Sequence, residues 1–238
     1  MKLDMLAFGA HPDDVELSCS GAILSYTTTG KTAGIIDLTR GEMGSRGTVA
    51  IRAAEAEAAR EILGCSIREN LGLADGLFEH NTASIMQIVT MIRKYQPDII
   101  FCNAPEDRHP DHGKASKLVE EAAFLSGLIK IETTIDGVAQ KAWRPRVVLK
   151  YIQDRWLTPD IIIDITPFWE TRMESIKAHK SQFFDPNSNE PATYIASKNF
   201  FDGIEARSRE MGRSAQFAYG EGFISSRILG IKDLSGIY

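Results

Sequence analysis

The chain has 238 residues, 43% hydrophobic and 25% charged, with a net charge of −5. That composition excludes a disordered chain, and the acidic balance argues against a nucleic-acid surface as the main partner. No apolar stretch approaches the roughly 18 residues that a membrane span needs, so no membrane partner is expected.

In chain order, the apolar run Leu3 to Phe8 reads as a buried strand, followed by a helix over 18–30 that stops at Gly30. Ala33 to Thr39 is a second strand. The Ala-rich stretch 50–63 is a helix ended by Gly64, and Ser66 to Leu71 a short strand. Ile85, Ile88, Val89 and Ile92 recur at helical spacing and predict a helix over 82–95, which Pro97 follows. Asp98 to Cys102 is the next strand, then a helix over 112–127, strands at Val147 to Ile152 and Ile161 to Ile165, and a helix over 168–181. Strands separated by helices of this length imply βαβ units. The expected fold is α/β, a mostly parallel sheet with helices on both faces, in one domain spanning 1–238.

Two segments break the alternation. Residues 40–48 form a Gly-rich loop after the second strand. Residues 185–220 carry Pro186 and Pro191, then a helix bearing Arg207, Arg209 and Arg213, and lead to Tyr219-Gly220-Glu221-Gly222-Phe223. Both read by default as solvated loop and surface helix. The first gains functional weight from its place on the carboxyl edge of the sheet, and 185–238 is expected to complete that edge. Cys19, Cys65 and Cys102 form no CxxC pair, and Met1-Lys2-Leu3-Asp4 lacks a basic n-region and long apolar core. Reduced thiols, no signal peptide and a cytoplasmic setting are the expectation.

Chemistry concentrates in two clusters, His11-Pro12-Asp13-Asp14 and His109-Pro110-Asp111-His112, each just past a predicted strand. Open α/β sheets collect ligands outside the carboxyl ends of their strands. A lone His-Pro or Asp-Asp pair is usually a helix cap or turn; two His/Asp clusters at strand ends favour a metal site. A catalytic zinc usually takes three protein ligands and keeps one position for water. His11 and Asp14 can converge on one ion, with His112 as third ligand. Asp13 is then free to act as general base on the bound water. His109 can stabilise an oxyanion or protonate a leaving nitrogen, and Asp111 can hydrogen-bond His109 and favour its protonated form. His80 and His179 lack such company and read as surface or packing residues. Glu16 reads as a first-turn helix residue.

Gly9-Ala10-His11-Pro12-Asp13-Asp14-Val15-Glu16 and Arg108-His109-Pro110-Asp111-His112 closely resemble the two signatures of the LmbE/PIG-L-like N-acetylglucosaminyl deacetylases. The loop Thr39 to Thr48 and Tyr219 to Phe223 look like the bacillithiol-biosynthesis branch, with Ser18-Cys19-Ser20-Gly21 where many members read Gly-Cys-Gly-Gly. The resemblance implies a Rossmann-like fold, a homo-oligomer (a hexamer) and a Zn2+-dependent hydrolase. The implied reaction removes acetyl from a glucosamine-containing small molecule, in that branch N-acetylglucosaminyl malate. It also matches His11, Asp14 and His112 to the metal ligands, Asp13 to the base and His109 to the catalytic histidine.

Malate carries two carboxylates, and Arg pairs bidentately with carboxylate. Arg40, Arg46, Arg52 and Arg108 lie in or near the loops of the site edge, with Arg46, Arg52 and Arg108 as expected substrate contacts and Arg52 foremost. They fit surface salt bridges equally well. Tyr194 follows the Pro-rich segment and is a candidate oxyanion donor. Two rival classes are a metal-dependent phosphoesterase and a non-enzymatic sugar-binding module. The first generally needs more carboxylates than these signatures provide, and the second has no use for a spare carboxylate beside three ligands.

Overall fold

The computed structural model describes residues 1–231 and Asp233. The first half alternates as the periodicity predicts: β1 (Met5–Gly9), α1 (Asp14–Thr27), β2 (Ala33–Thr39), α2 (Val49–Ile62), β3 (Ile67–Leu73), α3 (Thr82–Tyr95), β4 (Ile99–Cys102) and α4 (Pro110–Leu125). A small hairpin, β5 (Thr134–Ile135) and β6 (Val138–Ala139), precedes β7 (Val147–Tyr151) and β8 (Ile161–Asp164). Then come α5 (Trp169–Lys177), α6 (Lys198–Ser214) and β9 (Gly220–Ser225).

Seven strands form one sheet in the order β3-β2-β1-β4-β7-β9-β8. The first five are mutually parallel, and β9 runs antiparallel to both β7 and β8. Successive residues of β1 point to opposite faces, as a strand requires. Leu6 and Phe8 pack with Ile36, Leu38 and Ile100 under α3 and α4, while Met5 and Ala7 pack with Ile35 and Phe101 under α1. Burying a side chain such as Phe8 or Phe101 contributes about 1.5–3 kcal/mol. On the buried Tyr151, the hydroxyl donates to the Phe8 carbonyl at 2.8 Å, tying β7 to β1 across β4.

Besides the unexpected β5–β6 hairpin, three elements depart most from the sequence expectation. α1 starts at Asp14 rather than 18, because the Asp14 carboxylate accepts the His11 N–H at 2.9 Å and folds the connection into a tight turn. α5 ends at Lys177, and residues 178–182 become turns whose Ser181 N–H goes to Glu55 on α2. The third is β9, expected as loop. Its second residue, Glu221, is buried, its two carboxylate oxygens accepting the N–H groups of Gly21 and Ala22 (3.0 and 2.8 Å), and Arg172 donates to it at 2.8 Å. An added Cβ on Gly220 would fall 2.8 Å from the Gly212 nitrogen, so glycine lets β9 approach α6 closely.

β1 has β2 on one side and β4 on the other, so the chain winds away from this pair in both directions. The crevice at their carboxyl ends is the topological switch point of the sheet, and both His/Asp clusters lie there. The expected C-terminal segment 185–238 includes Lys232 and residues 234–238, which lie outside the described residues.

Candidate active site

Asp13 sits between β1 and α1 with φ 148°, a left-handed backbone that a non-glycine residue adopts only when its surroundings impose it. That turn directs His11, Asp13 and Asp14 into one buried cluster. The Asp14 carboxylate is fixed on both oxygens, by Gln153 Nε2 at 2.7 Å and by Asn103 Nδ2 at 2.9 Å. His11 Nδ1 lies 3.6 Å and His112 Nε2 3.2 Å from it. The remaining ring nitrogens each meet carboxylates: His112 Nδ1 meets Asp107 at 2.5 Å, and His11 Nε2 meets Asp75 at 3.0 Å and Asp111 at 3.4 Å. A histidine that binds a metal through one nitrogen usually has its other nitrogen held this way, which fixes tautomer and ring plane.

Electrostatics agree with that arrangement. Against their own burial, His11 is pushed up to about 10 by Asp111, Asp75 and Asp14, and His112 to about 9 by Asp14 and Asp107. Burial likewise opposes ionisation of Asp14, yet His112 and His11 hold it well below the usual carboxylate range. Asp14, Asp75, Asp107 and Asp111 therefore impose a demand for positive charge on this spot. Two imidazoles and a carboxylate are the donor set that a divalent ion with one open position takes. The ring nitrogens of His11, His109 and His112 lie within 4.8 Å of one another, as do donor atoms of His11, Asp75 and Asp111. These residues fit a divalent metal.

Asp13 is buried beside the expected ligands, and that burial, opposed by Arg52, raises its carboxyl. Arg52 Nη2 is 3.3 Å from Asp13 Oδ2, and the same guanidinium donates to the carbonyls of Pro12 and Gly41 at 3.0 and 2.9 Å. Gly41 has φ 65°, and a Cβ there would fall 1.7 Å from Arg52 Nη1. The Gly-rich loop therefore seats this arginine as well as bordering the site. His109 caps α4, its Nδ1 accepting the Asp111 N–H at 3.3 Å. The ring then carries its proton on Nε2. Burial and the neighbouring His11 and His112 lower its pKa, favouring the neutral form.

Asp111 is a correction. Its carboxylate does not meet His109; it accepts the Gly76 N–H at 2.8 Å and faces His11 and Lys114. Its backbone N–H bonds His109, and although the Asp111 charge pushes the His109 pKa up as expected, burial and the two neighbouring histidines outweigh it and favour the neutral ring.

A family model for "PIG-L: GlcNAc-PI de-N-acetylase" matches residues 6–123. The "uncharacterized deacetylase YaiS" of Escherichia coli is 32% identical over 193 residues, 74% of this chain and 90% of that protein. The chain belongs to the PIG-L de-N-acetylase family. The diacetylchitobiose deacetylase of Thermococcus kodakarensis is 29% identical over 189 residues, 75% of this chain and 70% of that one. Among solved structures, the conserved protein TT1542 of Thermus thermophilus superposes with a TM-score of 0.85 at 31% identity, covering 97% of this chain and 98% of that one.

In this PIG-L family member the cluster opens into a cavity of about 360 Å³. At its rim Asp154 collects three partners: Arg108 Nε at 3.0 Å, the Tyr194 hydroxyl donating at 3.2 Å, and Arg207 at 3.4 Å. Arg108 and Tyr194 thus line the cavity as expected, though Tyr194 is 53% exposed and bonded at the rim. Arg52 lines it too, but the anion it meets is Asp13 rather than a ligand carboxylate. Arg46 is placed elsewhere. It donates to the carbonyls of Ser181 and Pro191 (2.6 and 2.8 Å) and to Ser188 Oγ (3.1 Å), pinning the Pro-rich segment.

Sequence reasoning missed Asp75, Asn103, Asp107 and Gln153. The available signal was position: each follows a sheet strand on the carboxyl edge, as His11 and His109 do. His80 pairs with Glu121 near the surface, while His179 is fully buried, 3.4 Å from Glu16. Glu16, expected only as a helix-start residue, is buried between His179 and Arg68.

Proposed function

We propose that this family member is a zinc-dependent hydrolase that removes the acetyl group from an N-acetylglucosaminyl small molecule. N-acetylglucosaminyl malate, of bacillithiol biosynthesis, is the substrate within this reading, and a cytoplasmic homo-oligomer its setting. The observation that carries it is the convergence of His11, Asp14 and His112 with Asp13 and His109 at one switch-point cavity. The deacetylase relatives and the paired His signatures support the amide; an acidic aglycone would share Arg108 and Arg207 with Asp154, which already pairs with both at the rim.

His11, Asp14 and His112 would hold the ion, which supplies Lewis acidity and lowers the pKa of water. Asp13, buried and 3.3 Å from Arg52, accepts the proton of the attacking water. The His109 Nε2–H donates to the oxygen that becomes negative as the amide carbon turns tetrahedral. Proton return to the leaving amine is the task of the protonated Asp13, whose burial favours that form. Gln153 and Asn103 hold Asp14 so that neither oxygen turns away.

Amine release from N-acetylglucosaminyl malate and from N,N'-diacetylchitobiose, with chelator and after zinc is restored, tests this. Chelator-sensitive release that is fastest on the malyl glycoside is expected. Equal rates on both remove the malate reading, release that ignores chelator removes the metal, and phosphate release from a phosphoester instead of amine removes the deacetylase.

A further inference from the structure

Helix α6 turns one face to the cavity, since Phe200, Gly203, Ile204 and Arg207 fall at helical spacing and all line it. A glycine inside a helix weakens it relative to alanine, because its backbone loses more freedom on folding. Among the described residues, the other helix-embedded glycines each have a packing reason. A Cβ would fall 2.6 Å from Ile165 at Gly21, 3.0 Å from the Pro105 carbonyl at Gly113 and 2.7 Å from Tyr219 at Gly212. At Gly203 an added Cβ would meet no atom within 4 Å. Nothing in the fold asks for glycine there, and the space that it leaves belongs to the cavity.

Arg207 donates to the carbonyls of Gln153 and Asp154, and Gln153 in turn holds Asp14. Gly203 lies four residues from Arg207, about 6 Å along the helix axis. An acetyl methyl sits one bond from the carbonyl under attack and does not extend a full helical turn. A six-membered ring does. Phe200 and Ile204 offer apolar surface to the C–H face of such a ring, while Arg207 and Asn199 stand at its hydroxyl edge.

We propose that Gly203 is a specificity-determining position, where the pyranose ring of the substrate lies flat on α6 and comes close to the helix backbone. This rests on the glucosaminyl reading above. The experiment compares wild type, Gly203→Ala and Gly203→Leu on N-acetylglucosaminyl malate and N,N'-diacetylchitobiose, with Tm and zinc content measured alongside. Gly203→Ala should raise Tm by about 2 °C while lowering kcat/KM about tenfold, a combination no purely structural role produces. Gly203→Leu should lower kcat/KM about a hundredfold, with zinc content kept. Undiminished kcat/KM in Gly203→Leu on a glycoside that the wild type cleaves overturns the inference and leaves the deacetylase reading standing. If the leucine variant does not fold, the alanine variant decides by the same comparison. Wild type inert on both glycosides overturns the glucosaminyl reading first, and this inference with it.

Discussion

Arg52 and Asp13 form a buried ion pair, 3.3 Å between Nη2 and Oδ2, and two loop carbonyls share the same guanidinium. Removing one partner of such a pair leaves an uncompensated buried charge, which costs about 3–5 kcal/mol. Arg52→Ala should therefore lower kcat on malyl glycoside and diacetylchitobiose alike, together with Tm. A rise in KM confined to the malyl glycoside would return Arg52 to the substrate-binding role expected from the sequence.

Metal affinity should depend on residues outside the ligand set. His112→Ala should remove zinc by elemental analysis, since it deletes a donor. Asp107→Ala should keep a measurable site with affinity reduced about 10- to 100-fold, because the His112 ring loses the carboxylate that orients it. Asp13→Asn should retain the metal and lose most turnover. Loss of zinc in Asp13→Asn would exchange the base and ligand assignments.

Glu16 gives a signed pH dependence. Despite complete burial, Arg68 and His179 lower its pKa from 4.5 to about 2. A depressed carboxylate stabilises the fold above its unfolded pKa and loses that contribution as pH falls toward the folded value. The full contribution is about 3 kcal/mol, of which about 2 kcal/mol is lost between about pH 5.5 and about pH 3. Urea unfolding at the two pH values should show this drop in wild type and a smaller one in Glu16→Gln. An equal drop in both would assign the acid sensitivity to other carboxylates.

Tyr194 reaches Asp154 at the rim and has the Arg108 guanidinium 4.6 Å over its ring. Tyr194→Phe removes only the hydroxyl, so it should raise KM a few-fold and leave kcat nearly unchanged. A fall in kcat of about 10²-fold or more at constant KM would instead support the oxyanion role.

Much of this was legible in the sequence because it is periodic or local. β2 and α3 fall on their predicted bounds, and His11, Asp14 and His112 were found as motif residues at strand ends. The partners that orient them were not, since Asp107 and Gln153 are single polar residues whose relevance depends on where loops cross in space. β9 was missed for a related reason: Gly220-Glu221-Gly222 has neither alternation nor β-branched residues, and its burial depends on Arg172 and two helix N–H groups contributed from distant sequence. Arg52 was found, but its helix position announces an anion without saying whose, and the one it meets is Asp13.

The bond between Glu221 and Gly21 joins positions 200 residues apart. α1, which begins at Asp14 just after Asp13, is thus buttressed by a strand from a distant part of the sequence, and among the described residues β8 pairs only with that same strand. During synthesis, the first helix and β8 both exist long before their partner emerges. Bringing such distant segments together carries a loop-closure entropy that only the finished sheet offsets. Docking of β9 is therefore a late step on the folding route, and a nascent chain arrested before Glu221 would hold its metal-binding motifs without the brace that fixes them.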